Sequence, residues 1–339
     1  MTWLDGDFDR FDESAARVRP PKKGSKPRTK TRPAHDNSTP GRVITVDRGR
    51  YMTLVNEGTP DETPVIAKRA RELSRTPIVT GDVVDLVGDV SGADGTLARI
   101  VRIQERSTVL RRSADDSDQV ERMIVANADR MLIVVAAANP EPRQRLVDRY
   151  LVAAFDAGIL PILCITKTDL ADPTEFLAHF RGLDIPIVTS RSDAPPVDEI
   201  SELLRGHTSV AVGHSGVGKS TLVNALVPGA ERATGVVNEV TGRGRHTSSS
   251  TVSFRFPGGG WLIDTPGVRS FGLGHVRPES VLAAFTDLAA IAEDCPRGCN
   301  HRDYDCAMVE AVAAGEQGDE GAARLDSVQR LIGSLDSVS

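Results

Sequence analysis

Hydrophobic positions in the first third of the chain recur in short runs that turn residues separate. Within residues 41–112 the runs are RVITV, YMTLV, DVVDLVGDV and TLARIVRI, and glycines such as Gly49, Gly81 and Gly95 lie at or near the breaks. Short apolar runs at this spacing predict the strands of a small barrel or sandwich. A five-stranded OB-type β-barrel fits the length, and other small barrels fit it as well.

From about residue 127 the apolar runs become continuous and alternate with amphipathic segments. Strands are expected at MLIVVAAA, PILCIT, IPIVTS and TSVAVG, and helices at PRQRLVDRYLVAAFDAG, PTEFLAHFRG, VDEISELLRG and residues 219–227. TVSFRF and WLIDTPG are expected to form a hairpin that adds one more strand. Because such alternation is typical of a parallel sheet covered on both faces, residues 113–274 should form a doubly wound α/β domain.

A glycine-rich segment, GHSGVGKS, joins the strand TSVAVG to the helix that follows it. It matches the phosphate-loop pattern G-x-x-x-x-G-K-[S/T]. Its glycines allow the backbone to wrap around phosphates, and the helix N-terminus favours the same anion. A chance glycine-rich turn is the alternative, but it does not account for the flanking strand and helix. The predicted phosphate-binding residues are Gly213, His214, Ser215, Gly216, Val217, Gly218, Lys219, Ser220 and Thr221.

Two side chains of this loop have predicted roles of their own, and a second segment adds to them. Lys219 should reach the β- and γ-phosphates, and the Ser220 hydroxyl should coordinate magnesium. The segment DTPG begins with Asp264 directly after the apolar run WLI. A carboxylate at that strand end can hold magnesium through water, while the Gly267 amide can meet the γ-phosphate. These motifs predict a magnesium–nucleotide site and leave the base open.

The segment TKTD addresses the base. Thr166, Lys167, Thr168 and Asp169 close another apolar strand, at the rim where α/β sheets bind ligands. The Asp169 carboxylate only accepts hydrogen bonds, so it matches the two adjacent N–H donors of guanine, which adenine lacks. The stem of Lys167 can lie across the base plane. Alone the tetrapeptide equally fits a turn or a cap, but its position favours GTP, with VTSR as the second base-side loop.

Composition and charge exclude a membrane protein and single out one segment. The chain has 339 residues, 40% of them hydrophobic, and no apolar run approaches the roughly 20 residues that span a bilayer. We therefore expect a cytoplasmic protein. The net charge of −6 averages over an uneven distribution of charge. Residues 1–40 are first acidic and then rich in lysine, arginine and proline. This segment should be disordered, either as a solvated tail or as an arm that binds RNA phosphates.

Three of the four cysteines lie close together near the C-terminus, whereas Cys164 is expected in the core. The pattern C-x3-C-x-H-x4-C offers three thiolates and one imidazole, which is typical of a closed, tetrahedral structural zinc site. Thiols without a metal are the alternative. Helices at RPESVLAAFTDLAAIAED and CAMVEAVAAGE would surround one zinc ion in a small domain of residues 275–339. The predicted ligands are Cys295, Cys299, His301 and Cys306.

The order of the motifs, with TKTD before GHSGVGKS, reverses the order in an ordinary small GTPase. Together with the barrel, GRGRHTSSST, DTPGVRSFGL and the Cys/His cluster, it resembles the circularly permuted, ribosome small-subunit-dependent GTPases of the RsgA/YjeQ type. The likeness extends over nearly the whole chain from residue 41. It implies a multidomain protein: an N-terminal OB-type β-barrel, a central permuted P-loop GTPase domain and a C-terminal helical zinc-binding domain.

The resemblance also implies residue roles in two switch segments. GRGRHTSSST would be the first switch, with Thr247 as a magnesium ligand and Ser248 as the alternative, and DTPGVRSFG would be the second. No glutamine follows Gly267 to orient water, because Val268 stands there. Members of the family are thought to use a histidine of the first switch, which His246 matches. A histidine that faces RNA is the alternative role for His246.

Two departures from the family pattern are visible. Typical members carry asparagine where this chain has Thr166, which is expected to weaken nucleotide affinity without changing the choice of base. The two outer gaps of the cysteine–histidine pattern are each one residue shorter than in the family. Both departures leave the predicted chemistry in place.

The function that the resemblance implies is slow GTP hydrolysis, stimulated by the small ribosomal subunit during its late maturation. The expected partners are that subunit with its rRNA and GTP or GDP with Mg²⁺, and the chain is expected to be a monomer. An RNA-binding assembly factor that uses GTP only as a ligand switch is an alternative. A P-loop ATPase that acts on RNA is another, which Asp169 opposes. The second switch runs into the zinc domain, so γ-phosphate contact is hypothesised to reposition that domain relative to the barrel.

Overall fold

A computed structural model describes most of the chain. The chain divides into two units, Met1–Ala34 and His35–Ser339, and all described residues belong to the second. Most of the predicted tail therefore lies outside the described part. None of the described helices is both long enough and apolar enough to cross a bilayer. The described residues are 35–74, 76–113, 121–230, 251–266, 271–303 and 305–336.

The N-terminal part is a closed, five-stranded β-barrel with a core that includes Val43, Val65, Leu86 and Ile100. The strand order is β1-β2-β3-β5-β4, and β4 closes the barrel by pairing with β1. Only the β3–β5 pair is parallel. The strands are β1 (Thr39–Asp47), β2 (Arg50–Val55), β3 (Thr63–Arg69), β4 (Val83–Val87) and β5 (Ala98–Ile103).

Strand β3 was not predicted from the sequence. Its apolar run, Val65 to Ala67, is only three residues long and lies between Pro64 and Lys68. Antiparallel pairing with β2 forms this strand, and parallel pairing with β5 completes the barrel wall. Long-range pairing therefore makes this segment a strand, although its local apolar pattern is too short to indicate one.

A hairpin of β6 (Val109–Ser113) and β7 (Glu121–Ala126) follows the barrel. The sequence pattern did not predict this pair, and the boundary expected at residue 112 falls within β6. Nearby, Arg106 joins the barrel to the hairpin region through two hydrogen bonds to the buried Asp82, of 2.6 and 2.8 Å. Position 81 requires glycine at this junction, because a Cβ atom on Gly81 would lie 2.1 Å from the Ala126 carbonyl oxygen.

The central part is a six-stranded α/β sheet in the order β10-β9-β8-β11-β13-β12. All neighbours are parallel except β12, which forms the expected antiparallel hairpin with β13. Apolar clusters cover both faces of the sheet, which explains the continuous apolar runs of its strands. The strands are β8 (Arg130–Ala136), β9 (Leu160–Thr166), β10 (Ile187–Thr189), β11 (Thr208–Gly213), β12 (Val252–Arg255) and β13 (Trp261–Asp264).

Four helices in the described part of the chain flank the strands of this sheet: α1 (Gln144–Asp156), α2 (Thr174–Ala178), α3 (Val197–Leu204) and α4 (Lys219–Leu226). Helix α1 buries Val147, Tyr150, Leu151 and Ala154, which recur at helical spacing on one side. Gly158, with φ of 68°, follows its C-terminus, as predicted. Helix α2 is shorter than the predicted segment PTEFLAHFRG. It ends at Ala178, whereas the predicted segment continues to Gly182.

The sheet explains the reversed order of the motifs. Strand β11, which leads into the phosphate loop, lies beside β8, and β9, which ends in TKTD, lies on the other side of β8. Because these three strands are parallel, their carboxyl ends lie at one rim. The two loops therefore approach each other although the base-side loop comes first in the chain. This is the arrangement of a circularly permuted GTPase domain.

The C-terminal part contains four described helices, and its core includes Phe285, Val328 and Leu331. RPESVLAAFTDLAAIAED forms two short helices rather than one, because the chain leaves the helical conformation at Phe285, which is buried. The last helix was not predicted, although its buried apolar residues Leu325, Val328, Leu331 and Ile332 recur at helical spacing. The helices are α5 (Pro278–Leu282), α6 (Thr286–Ala292), α7 (Ala307–Ala313) and α8 (Gly321–Asp336).

Candidate nucleotide site and metal centre

The predicted phosphate loop lies between β11 and α4, where strand, loop and helix were expected. Gly213 passes so close to β8 that a Cβ atom on it would lie 2.5 Å from the Val134 carbonyl oxygen. Gly218 precedes α4 with φ of 94°, a conformation that favours glycine. Ser220 and Thr221 are exposed on the first turn of α4. Their hydroxyl groups are therefore accessible to a bound anion and its cation.

Lys219 and Asp264 meet at the centre of the rim. Lys219 is the first residue of α4 and only 8% exposed, and its ammonium group contacts Oδ1 of Asp264 at the end of β13. The fully buried Thr265 anchors this strand end, because its hydroxyl donates to the Ala211 carbonyl oxygen at 2.8 Å. Sequence reasoning passed over Thr265, although it stands within DTPG.

Thr166 connects the base-side loop to the phosphate loop. Its Oγ1 atom lies 2.5 Å from the Val217 carbonyl oxygen and 3.2 Å from that of Val135. The side chain is nearly buried at the end of β9. One hydroxyl proton can serve only one of the two carbonyl groups at a time. Threonine therefore makes the loop-to-loop contact with a single donor.

Lys167 crosses from the base-side loop towards the phosphate loop. Its ammonium group contacts the carbonyl oxygens of Asn139 and Gly216, the latter at 2.7 Å. The backbone of Lys167 has φ of 57°, so the chain turns sharply after β9. The stem of Lys167 lines a cleft of about 370 Å³ together with Thr166 and Gly218. The cleft thus lies between the two predicted nucleotide loops.

Asp169 is braced by the loop after β10. Its Oδ1 atom accepts a hydrogen bond of 2.7 Å from the backbone N–H of Ser192, and this bond lowers the pKa of Asp169 below its usual value of 3.8. The N–H of Thr168 donates to the Ser190 carbonyl oxygen at 3.2 Å. The predicted second base-side loop, VTSR, therefore lies beside the first. Ser192 was not singled out from the sequence because its contribution is a backbone group.

Several predicted site residues lie outside the described part of the chain. They are His246, Thr247, Ser248, Gly267 and Val268. The predicted catalytic and second magnesium-binding roles therefore remain predictions. The segment of the first predicted switch enters the described part at Thr251, directly before β12.

The cysteine–histidine cluster is assembled in the C-terminal part as the sequence predicts. The candidate ligand atoms of Cys295, Cys299, His301 and Cys306 all lie within 4.8 Å of one another. The Sγ atoms of Cys295 and Cys306 are 3.7 Å apart, and Nδ1 of His301 lies 3.7 Å from Cys295 and 3.9 Å from Cys306. A tetrahedral ion with metal–sulfur distances near 2.3 Å separates two sulfurs by roughly 3.8 Å. The four residues therefore fit one metal ion.

The surroundings of the cluster also fit a metal centre. The backbone N–H of His301 donates to Sγ of Cys299 at 3.3 Å, and Gln329 of α8 donates to the His301 carbonyl oxygen at 2.8 Å. A metal ion bound here would cross-link the loop between α6 and α7, which Gln329 connects to α8.

An α/β sheet that brings the predicted base-side and phosphate loops to one rim in permuted order, beside a barrel and a four-ligand cluster, is typical of a permuted P-loop GTPase. The model of the RsgA GTPase family matches residues 103–274, about half of the chain. The chain belongs to the RsgA GTPase family and is a P-loop GTP hydrolase.

Relatives and solved structures agree with this assignment. A protein named small ribosomal subunit biogenesis GTPase RsgA from Pseudomonas aeruginosa (strain LESB58) is 39% identical over 267 residues, which cover 76% of each chain. A relative of the same name from Azotobacter vinelandii is 40% identical over 268 residues, covering 76% of this chain and 75% of its own.

Two crystal structures have the same fold. YjeQ from Thermotoga maritima is similar with a TM-score of 0.64 and 25% identity, over 88% of this chain and 98% of its own. YloQ, described as a circularly permuted GTPase, is similar with a TM-score of 0.63 and 24% identity, over 90% of this chain and 98% of its own. The second likeness concerns the fold alone.

Proposed function

We propose that this GTPase binds the small ribosomal subunit and assists its late maturation, hydrolysing GTP to GDP and phosphate with stimulation by the subunit. The partner is taken from the names of the relatives. The structural observation that supports contact with rRNA is a row of cations on the barrel. We place this role in the cytoplasm and expect the protein to act as a monomer.

The row consists of Arg50, Lys68 and Arg99. Arg50 on β2 pairs with Lys68 on β3, and Lys68 pairs with Arg99 on β5, so the three residues stand side by side on neighbouring strands. All three are exposed, and none forms an ion pair with another described residue. At the usual strand spacing the row spans roughly 10 Å. Such a cation row is suited to the phosphate backbone of RNA.

The barrel strands offer little for reading bases. Tyr51 is the single aromatic residue between positions 39 and 103, and it is only 6% exposed. Stacking of bases on aromatic rings, the usual mode of single-strand binding, is therefore not supported. We infer that the barrel contacts phosphates, so binding should weaken steeply as salt rises.

In the nucleotide site we assign guanine recognition to TKTD, with Asp169 facing the two donors of the base. Residues Gly213 to Thr221 and Asp264 with Gly267 would hold the phosphates, and Ser220 would coordinate Mg²⁺. Water would attack the γ-phosphorus, the bond to the β–γ bridging oxygen would break, and GDP would leave.

We assign the remaining roles to residues on the first switch and in the C-terminal cluster. His246 would position the attacking water, and Thr247 would be a second ligand of Mg²⁺. The cysteine–histidine cluster would hold one structural zinc ion, since three sulfurs and one imidazole are typical ligands of zinc. The zinc-binding region would be residues 275–339, and the other proposed domains are the barrel at 41–112 and the GTPase domain at 113–274.

Hydrolysis of GTP with separated ribosomal subunits tests nucleotide, activity and partner together. We expect slow hydrolysis by the protein alone, strong stimulation by small subunits, and no displacement of GTP by excess ATP. Stimulation by large subunits alone would show that the partner is wrong. The His246→Ala variant separates the enzyme from a GTP-gated assembly factor, because an enzyme should lose turnover and keep GTP binding.

The cation row has its own test. Lys68→Gln, at the centre of the row, should reduce stimulation by small subunits and leave basal hydrolysis unchanged, because Lys68 is exposed on barrel strand β3 and belongs to none of the predicted nucleotide loops. Arg205→Gln, an exposed arginine after α3, is the matched control and should change neither rate. If both variants reduce stimulation equally, the row has no special role.

We further propose that γ-phosphate contact at the second switch repositions the zinc-binding region. The end of this switch is anchored on both sides: the N–H of Gly272 donates to the Arg111 carbonyl oxygen of β6 at 3.1 Å, and Phe271 packs edge-on against Tyr150 of α1. A change at the switch would therefore reach the hairpin and α1. Scattering profiles that are equal with GDP and with a non-hydrolysable GTP analogue, both with and without ribosomal subunits, would count against this coupling.

A further inference from the structure

A buried hydroxyl group joins the strand that carries Asp264 to the strand that leads into the phosphate loop. Oγ1 of Thr265 donates to the Ala211 carbonyl oxygen of β11 at 2.8 Å, and Thr265 is fully buried. Ala211 lies two residues before Gly213, where β11 ends and the phosphate loop begins. The hydrogen bond therefore connects two of the predicted nucleotide segments directly.

This hydroxyl lies where the strand pairing of β13 stops. Asp264 is the last residue of β13, and it pairs with Ala211 of β11 on one side and with Val252 of β12 on the other. Thr265 is the next residue and belongs to no strand. The terminal pairs of a strand open more easily than interior ones, because no further pair follows them. The Thr265 hydroxyl therefore secures the end of the strand at the acid.

The acid that is held in this way lies beside groups that suit magnesium. The carboxylate of Asp264 contacts the ammonium group of Lys219, the first residue of α4, and Ser220 follows with an exposed side chain. Carboxylate and hydroxyl oxygens are hard ligands, which Mg²⁺ prefers. Asp264 and Ser220 therefore fit the proposed magnesium–phosphate site, and their separation depends on how β13 is held against β11.

We propose that Thr265 is a positioning residue for the magnesium–phosphate site. It ties the backbone next to Asp264 to β11, so that the carboxylate stays at a fixed place relative to the phosphate loop. The Thr265 side chain is fully buried, so it acts through Asp264 rather than by contact with the nucleotide. This inference rests on the proposed roles of Asp264 and Ser220 in binding the phosphates and Mg²⁺.

Two substitutions at position 265 separate the hydroxyl from the rest of the side chain. Thr265→Val keeps the shape and removes the donor, so the buried Ala211 carbonyl oxygen loses this hydrogen bond. The backbone after Asp264 could then move away from β11, and the carboxylate with it. Thr265→Ser keeps the donor and removes only a methyl group. A positioning role therefore predicts that serine preserves what valine loses.

Thr53→Val is the matched control. Thr53 is also a fully buried threonine, and its hydroxyl donates to the Val65 carbonyl oxygen of the neighbouring barrel strand at 2.9 Å. Both valine variants remove one buried donor from a carbonyl group, so both should lower thermal stability. Only Thr265→Val should also change the response to magnesium.

Two measurements report on the site. One is the Mg²⁺ concentration that half-maximally strengthens binding of a non-hydrolysable GTP analogue, and the other is the concentration that gives half-maximal GTP hydrolysis. Thr265→Val should raise both concentrations by about tenfold, the scale of one lost hydrogen bond. Affinity for the analogue without Mg²⁺ should be unchanged, and Thr265→Ser should behave like the unmodified protein.

Three results would overturn the proposal. They are an unchanged Mg²⁺ dependence in Thr265→Val, an equal change in Thr53→Val, and an equal change in Thr265→Ser. In the first two cases the hydroxyl has a structural role alone, because its loss acts on stability without acting specifically on the site. In the third case the methyl group, rather than the hydrogen bond, is what the site requires.

A Ser220→Ala variant distinguishes failure of this inference from failure of the proposed function. If Ser220→Ala raises the Mg²⁺ requirement and Thr265→Val does not, the magnesium assignment stands and the positioning role is overturned. If Ser220→Ala leaves the Mg²⁺ dependence unchanged, the magnesium assignment is wrong, and the role of Thr265 fails with it. Absence of GTP hydrolysis in the unmodified protein would contradict the proposed function, while the binding measurement would still decide the role of Thr265.

Discussion

At the scale of single residues, Thr166 shows how a departure from a family pattern can preserve a contact. The hydroxyl reaches both the phosphate loop at Val217 and the neighbouring strand at Val135. Asparagine has two N–H donors on its side-chain amide, whereas threonine has a single donor. Thr166 therefore keeps the connection between the two nucleotide loops but shares one proton between two acceptors.

Removing that proton should weaken nucleotide binding. Thr166→Val leaves the buried Val217 carbonyl group without this donor, so we expect GDP affinity to fall by about tenfold. Thr166→Asn should bind GDP at least as tightly as the unmodified protein, because it can serve both acceptors. Titration with a fluorescent GDP analogue measures both effects. A valine variant that binds GDP normally would show that the loop contact is dispensable.

Asp169 supports a prediction about base choice. A carboxylate accepts from both N–H groups of guanine, whereas an amide offers one acceptor and one donor group. Asp169→Asn should therefore lose affinity for GTP and gain affinity for xanthosine triphosphate, whose ring pairs an N–H donor with a carbonyl acceptor. Competition between the two nucleotides measures the exchange. Unchanged preference for GTP would place the base elsewhere.

The pKa of Asp169 predicts how binding responds to acid. The Ser192 N–H lowers this pKa below the usual 3.8, so the folded protein keeps the carboxylate charged to a lower pH than the unfolded chain does. The stabilising contribution is present above 3.8 and is lost as pH falls through the lowered pKa. Recognition of guanine by this carboxylate should therefore not titrate between neutral pH and pH 5.

Motif spacing predicted side chains such as those of Lys219 and Asp264, which the structure places in contact at one rim of the sheet. It did not reveal Ser192, Thr265 or Thr80. Ser192 acts through its backbone N–H, and the two threonines donate to carbonyl groups of segments far away in the chain. Such contacts exist only once the fold has brought the segments together.

At the scale of elements, a buried ion pair joins helix α8 to α1 beside their shared apolar core. Nη1 of Arg330 lies 2.5 Å from Oδ1 of Asp148, and the Asp148 side chain is 3% exposed. Burial raises the pKa of Asp148 to about 6, and Arg330 opposes that rise. Because removing one partner of a buried pair leaves an uncompensated charge, Arg330→Met should destabilise the protein by about 3 kcal/mol at pH 7.5.

This destabilisation should depend on pH in a defined direction. Without Arg330 the pKa of Asp148 rises above about 6, so lowering the pH to 5 neutralises the orphaned carboxylate and reduces the loss. Urea unfolding at the two pH values measures this difference. The double variant Asp148→Leu with Arg330→Met removes both charges and should recover most of the stability at pH 7.5. A loss that is equal at both pH values would contradict the assignment.

Elements with a strong local pattern were predictable from the sequence, and elements that depend on partners were not. The five parallel strands and α1 have continuous or periodic apolar residues, so their positions agree with the prediction. Strand β3 and the β6–β7 hairpin lack such a pattern, and each becomes regular because a neighbouring strand pairs with it. Helix α8 has buried apolar residues at helical spacing, so its sequence contained a signal that the prediction missed.

At the scale of the whole molecule, the barrel precedes the GTPase domain in the chain and the metal cluster follows it. The barrel joins the domain sheet where Thr45 of β1 pairs with Val252 of β12, two residues that are more than 200 positions apart. The C-terminal helices, which follow the GTPase domain in the chain, pack on α1. No local pattern encodes either contact, although motif order alone indicated the permutation.

Removal of the metal should therefore act on the C-terminal part and spare the nucleotide site. The predicted ligands hold the loop before α7, which Gln329 connects to α8, whereas the nucleotide loops follow β9, β11 and β13. Chelation or Cys299→Ser should lower thermal stability and increase proteolysis after residue 275, while GDP affinity stays within about twofold. Elemental analysis should find about one zinc per chain in the unmodified protein.

Cys164→Ala is the control for this experiment, because Cys164 is buried in the α/β sheet and distant from the cluster. It removes a thiol and should leave the zinc content unchanged. If chelation abolishes GDP binding as strongly as it destabilises the helices, the C-terminal part supports the nucleotide loops and the two ends of the molecule are not independent. If it changes neither stability nor proteolysis, the cluster has no structural role. A loss confined to the helices would show that the metal stabilises the region that follows the second switch.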